Sequence, residues 1–401
     1  MLRTVFRPIF SLLLIMAVAG PAAAQAPWTV PVDGEPFAAR LTSVDAQGKL
    51  AFDGASKRPA LSLGDLISWG QPAELRKGPI FVLADGGYLP AALLSANKRE
   101  LSVDSARLGT LKLPLDSLAG IIFRPPPYPA ELDALLDRIA RGLGQADRLV
   151  LDNGDEMTGL VETLEGDKIK IKGNLGLVEI AVRRVVAIVF NPALRQSPAA
   201  DHGYMVPAGT AWIGLSDGAR VAGTHLQLDA DSLQWTTLSG AKWQAPAKDL
   251  VFLMPQASRA VYLSDIRPAE YRFLPYLETK WPYKLDRNVT GGQLRCGGRI
   301  YLKGIGVHSA ARLSYKLDSP WSRFQAEVGI DDSTGGRGSV GFRLFVDGRQ
   351  KYTSPPLRGG MPPQAVSVDL TGAKQLDLVV DFGEAGDVMD HADWLNARLV
   401  K

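Results

Sequence analysis

Cysteine is nearly absent from this chain: Cys296 is the only one among 401 residues. That excludes an internal disulfide framework and any Cys-based zinc site. Histidine is almost as scarce, with four copies, which leaves little room for a His-rich metal centre. No apolar run reaches the ~20 residues needed to cross a bilayer as a helix. A strong charge of either sign is also missing, since 45 basic residues face 42 acidic ones. Residues 259–401 hold 20 basic and 16 acidic residues, and no segment reaches the basic density of a phosphate-tracking surface. Nucleic acid is therefore not an expected partner. What is plentiful is turn chemistry, with 41 glycines and 27 prolines. Together with 46% apolar and 22% charged residues, this describes a globular chain of many short strands.

Residues 1–24 read as a signal peptide. Arg3 and Arg7 supply a basic start, residues 9–19 (IFSLLLIMAVA) an apolar stretch, and Ala22, Ala23 and Ala24 the small residues before a cut. The mature chain is expected to be secreted or periplasmic, with no membrane span after removal of that peptide.

Residues 28–255 repeat four times. Each copy opens on an Asp-Gly or Asn-Gly turn between two apolar strands and closes on an apolar strand followed by proline. The turns are Asp33-Gly34, Asp85-Gly86, Asn153-Gly154 and Asp217-Gly218, and the prolines are Pro72, Pro125, Pro192 and Pro255. The four glycine-to-proline spacings differ by no more than two residues, a regularity that marks a true internal repeat. These dipeptides suit tight hairpins needing positive φ. KIKIK at 168–172 alternates with period two, as a half-buried strand does. The expected units are 28–72, 80–125, 147–192 and 210–255, each of about five strands. Their strand rhythm resembles Sm-like or SH3-like barrels. Between the second and third lies a proline-rich link and then AELDALLDRIAR, whose Leu132, Leu135, Leu136 and Ile139 fall at helical spacing. A linker helix is expected over 130–144, packed on a neighbouring unit.

From residue 259 the strands lengthen. RLSYKL, RFQAEVGI, GFRLFV, AVSVDL and QLDLVVDF alternate cleanly, which argues for an antiparallel β-sandwich. YLSDIRP (262–268), GGRIYLKGIGVHSAARLSYKL (297–317), RFQAEVGIDDSTGGRGSVGFRLFVDG (323–348) and DHADWLNARL (390–399) resemble the NPCBM family of carbohydrate-binding modules. The resemblance runs over 259–401. It implies a jelly-roll sandwich of the galactose-binding-like kind, with sugar bound by loops at one end. The expected fold is thus all-β: tandem small β-barrel-like repeats, then this sandwich.

Several residues carry candidate chemistry. His308 follows a Gly-rich turn, where a neutral imidazole could meet a sugar hydroxyl or simply hold its own loop. Asp390, His391, Asp393 and Trp394 form the densest polar cluster. Carboxylates and imidazole can bridge vicinal hydroxyls, and an indole can stack on a pyranose or fill the core. Asp331 and Asp332 are adjacent carboxylates that need a cation, amide or water nearby. A structural calcium completed by Asp387 is one answer and a self-capped turn the other. Asn288-Val289-Thr290 fits a glycosylation sequon. Cys296 reads as a small buried residue.

The leading expectation is a non-catalytic secreted protein that binds a glycan or glycoconjugate through the C-terminal sandwich, with the repeats as spacer or interaction surface. The alternative is an envelope structural or assembly protein that binds other proteins through the repeats. A glycoside hydrolase using Asp331 and Asp390 is the third reading.

Overall fold

The computed structural model describes residues 26–54, 60–75, 78–97, 99–142, 144–174, 176–195, 209–256, 259–276, 279–384 and 386–401. The expected signal peptide lies outside the described residues. Among the described residues the fold is all-β apart from one α-helix, Pro129–Arg141, and short 3-10 turns. Among the described residues no helix is long and apolar enough to cross a membrane.

The four repeats follow one plan. In the last, strands Ala211–Leu215, Arg220–Leu228, Ser232–Thr237 and Lys242–Pro246 form an antiparallel meander. A 3-10 turn, Ala247–Asp249, then leads into Leu250–Pro255, which returns to pair with the first strand. The same closure joins Trp28–Pro31 to Leu66–Gly70, Ile80–Leu83 to Leu118–Ile122, and Asp147–Leu151 to Val185–Val189. The opening turns need glycine for a plain reason: φ is +89° at Gly34, +90° at Gly86, +85° at Gly154 and +90° at Gly218.

A string of separate units is not what forms. The closing strand of copy one, Leu66–Gly70, pairs with that of copy four, Leu250–Pro255. The closing strand of copy two, Leu118–Ile122, pairs with that of copy three, Val185–Val189. Strand pairing thus runs across copy boundaries and joins most repeat strands into one network. The cause lies in the closing strands themselves. LAGII and VVAIV are apolar on both faces, so each needs cover above and below and a neighbour on either edge. The helix supplies part of that cover. Its Leu132, Leu136 and Ile139 pack on Ile80, Val82, Ile122, Ala187 and Val189, across the seam between copies two and three.

The C-terminal region is a sandwich of two antiparallel sheets. One runs in the order Lys284–Leu285, Gly304–His308, His391–Val400, Arg323–Ile330, Gln364–Asp369, with Ala260–Tyr262 added beside the central strand. The other runs Glu270–Phe273, Ala311–Lys316, Gln375–Phe382, Ser339–Val346, Arg349–Thr353. Phe324, Phe342, Leu344, Tyr315 and Trp394 fill the space between them. A second apolar cluster ties the sandwich to the repeats: Val32, Ile67, Trp212, Phe252 and Met254 meet Ala260, Tyr262 and Val400. A small hairpin, Leu294–Cys296 with Arg299–Tyr301, covers Leu395 on the outer face of the first sheet.

Candidate functional site

Two neighbouring strands carry a histidine at the same end of the sheet, one as its last residue and one as its first. Gly304–His308 and His391–Val400 are antiparallel, and their register sets His308 directly opposite His391. Opposed residues share a face, so both imidazoles project on the same side of the sheet, with ring centroids 5.9 Å apart. His308 Nδ1 lies 2.8 Å from the carbonyl of Ser309. A carbonyl only accepts, so Nδ1 carries a proton toward it. The buried Nδ1 of His391 has no hydrogen-bond partner among the described residues. Burial and the nearby His308 hold this imidazole below the usual histidine range.

An indole completes the group. Trp281 stacks on His308 with centroids 4.7 Å apart and ring planes within 8°. It also lies 5.9 Å from His391. Phe273 meets His308 edge-on at 6.4 Å. Three residues after Phe273, Tyr276 packs edge-on against Phe382 and leaves 60% of its surface open. Sequence reasoning missed Trp281 and Tyr276. Their signal was a proline- and aromatic-rich connection at 274–286, since aromatic residues on a loop beside a rigid sheet often serve binding.

Asp390 belongs to this end but in a supporting part. It accepts the Ser309 hydroxyl, and its Oδ1 accepts the Ser339 N–H at 3.0 Å. Burial pushes its carboxyl above the usual range. Two expected contact residues are placed elsewhere. Trp394 alternates to the inner face, where it meets Phe342 at 5.2 Å and Phe324 at 6.2 Å, both edge-on. It is wholly buried and offers no ring face for a sugar. Asp393 is also wholly buried, beside the backbones of Gly306 and Gly329. Burial, reinforced by Asp331, raises its carboxyl well above 3.8.

The acidic pair proposed for calcium is held by N–H groups. Asp331 Oδ1 accepts Asn288 Nδ2 at 2.9 Å and the Ser333 N–H at 3.0 Å, and Oδ2 accepts the Arg295 N–H at 2.9 Å. Asp332 accepts the N–H groups of Gly297 and Gly298 at 3.0 and 2.8 Å. Asp387 lies apart and offers its carbonyl to the Asp390 N–H. Among the described residues no group of three or more His, Cys, Asp or Glu is set to hold a metal ion. Amide donors meet both carboxylates. The sequon is closed as well, because Asn288 is buried with its amide nitrogen on Asp331. Cys296 is buried, which pushes its thiol up and away from reactivity.

Comparison with known proteins places this region. Residues 259–400 match the family model for the NPCBM/NEW2 domain. A protein of Renibacterium salmoninarum named "Putative endo-alpha-N-acetylgalactosaminidase" is 39% identical over 110 residues, 27% of this chain and 7% of that protein. An alpha-1,3-galactosidase B of Akkermansia muciniphila is 32% identical over 117 residues, 28% of this chain and 15% of that enzyme. The chain therefore spans only a small part of the length of either relative. Among solved structures, the CBM51 of Clostridium perfringens GH95 in complex with methyl-galactose is 25% identical. It covers 35% of this chain and 99% of that module, with a TM-score of 0.33. The C-terminal third of the chain, residues 259–400, is an NPCBM/NEW2 domain.

Proposed function

We propose that this is an exported, non-catalytic glycan-binding protein whose site is the end of the sandwich formed by His308, His391 and Trp281. The observation that carries the reading is the meeting of two opposed imidazoles and a stacked indole. Imidazole nitrogens suit sugar hydroxyls, and aromatic faces suit the C–H faces of a pyranose. Asp390 acts here by holding the Ser309 and Ser339 loops. The NPCBM/NEW2 match supports carbohydrate as the ligand class. Galactose and N-acetylgalactosamine come first for testing, because the two relatives are named for those sugars. The basic, apolar and small-residue order at 1–24 supports export. A non-catalytic role is supported by the engagement of the Asp331 and Asp390 carboxylates with amides and a hydroxyl.

The test is calorimetric titration of the full mature chain with galactose, N-acetylgalactosamine and their methyl glycosides, followed by a glycan array. Binding that disappears in Trp281→Ala and His391→Gln, with the melting temperature retained, supports the site. Absence of binding to every glycan sinks the reading.

A second reading assigns protein partners to the repeats. The strand Gly176–Ala181 favours it. Among the described strands it pairs only with Lys168–Gly173, and it exposes Leu177 and Val178. Such an edge can add a foreign strand. Pull-down from envelope extracts with the wild-type chain and with Val178→Pro distinguishes it, since proline removes a ladder donor.

A further inference from the structure

Arg295 sits on the hairpin strand Leu294–Cys296 with its side chain in the repeats. Its Nε donates to Glu74 Oε1 at 3.0 Å and its Nη2 to Glu74 Oε2 at 3.3 Å. The same guanidinium grips Asp133 on the helix: Nη1 donates to Oδ2, and Nη2 donates to Oδ1 at 3.2 Å. Asp133 also accepts the Gln293 N–H at 3.0 Å and is buried. An aspartate is rarely buried unless a partner meets its charge, and here both partners belong to the sandwich.

The backbone of Arg295 faces the other way. Its N–H donates to Asp331, whose own N–H donates to the His391 carbonyl at 2.9 Å. From Asp331 the chain turns through Asp332–Thr334 and a short loop to Ser339, whose N–H meets Asp390. Asp390 takes the Ser309 hydroxyl, and the Ser309 carbonyl takes the His308 Nδ1–H. A continuous run of bonds and backbone therefore joins the helix to both histidines. Arg287 adds a weaker ion pair to the same helix, 3.9 Å from Asp137, whereas the charged contacts at the far end differ. Asp33 pairs with Arg259 and Arg323 in solvent, near Val400, at the opposite end of the strand that begins with His391.

We infer that Asp133 and Glu74, acting through Arg295, are positioning residues for the His308–His391 end, so that the repeats help set the geometry of the site. This rests on reading that end as a glycan site. Coupling over such a network typically alters affinity by a modest factor, and it requires a direct test.

Four histidines in the chain make their imidazole proton signals assignable by NMR with single His→Gln variants. In the full chain, Glu74→Gln and Asp133→Asn are compared with Asp33→Asn, which loosens the contacts at the far end. Both are expected to move the His308 and His391 signals and to weaken galactose binding about threefold to tenfold. Asp33→Asn is expected to move neither. If Asp133→Asn fails to fold, Glu74→Gln decides, being milder because Glu74 is partly exposed. Unmoved signals in the folded variants, or equal movement in Asp33→Asn, overturns the inference. A wild-type chain that binds no sugar defeats the glycan reading, while the histidine signals still decide the positioning.

Discussion

Two aspartates that open equivalent turns experience opposite environments. Asp33 is held below its usual range by the hydrogen bond from Arg323, with Arg259 adding to it. Asp85 is pushed up to about 6, because burial outweighs the Gly87 N–H and the charge of Arg220. The sign of the linkage follows. Between 3.8 and about 6 the folded state holds a proton on Asp85 that the unfolded state has lost, so stability falls as pH rises through that window. The loss amounts to about 3 kcal/mol. Asp85→Asn keeps an oxygen for the Gly87 N–H, which Asp85 accepts at 2.9 Å. The variant is expected to gain stability over wild type across pH 4–6 and to hold that gain above it, as read by urea unfolding at each pH. A second residue-scale prediction separates two tryptophans. Trp394→Ala empties the sandwich core and is expected to cost about 3–5 kcal/mol. Trp281→Ala, at the rim, is expected to cost far less while abolishing binding. Thermal unfolding of both variants checks this.

At the scale of the element, the closing strands decide how the repeats associate. Gly120 lies where copies two and three meet under the helix. A Cβ there would fall 2.3 Å from the Ile188 carbonyl oxygen and 2.7 Å from Ile139 Cγ2. Gly120→Ala must therefore open the seam or shift the helix, at an expected cost of about 1–3 kcal/mol. Gly341, also in a strand, has nothing among the described residues within 4 Å of its would-be Cβ. Gly341→Ala is expected to leave stability unchanged or slightly raised. Chemical denaturation of the pair tests whether close backbone approach, rather than glycine loss in general, carries the effect.

For the whole molecule, repeats and sandwich share a core. Trp212, from copy four, is buried with Tyr262 and Val400 of the sandwich. Trp212→Ala is expected to raise amide exchange in residues 260–262 and 398–400 as well as in copy four, by hydrogen-exchange mass spectrometry. Exchange confined to copy four would mean that the two regions are energetically independent. The paired copies, one with four and two with three, bring chain segments far apart in sequence to one junction, where Glu74, Asp133 and Arg295 meet.

The sequence by itself determined the local structure. Alternating RFQAEVGI and QLDLVVDF are strands at the residues where they were expected, because period-two burial is a local property. The helical stripe at Leu132, Leu136 and Ile139 is a helix for the same kind of reason. The pairing of His308 with His391, and the stacking of Trp281 on the former, came only from tertiary structure. These residues lie on separate segments: sheet register opposes the two histidines, and the loop before Lys284–Leu285 brings the indole onto them. Trp394 was ambiguous in sequence, since an indole suits both a core and a sugar. Strand alternation turned it inward, between Phe324 and Phe342. The same holds for the residue the chain nearly lacks. One cysteine excluded disulfides at the outset, but how the chain is held without them was decided by non-local contacts: closing strands apolar on both faces, and a core common to repeats and sandwich.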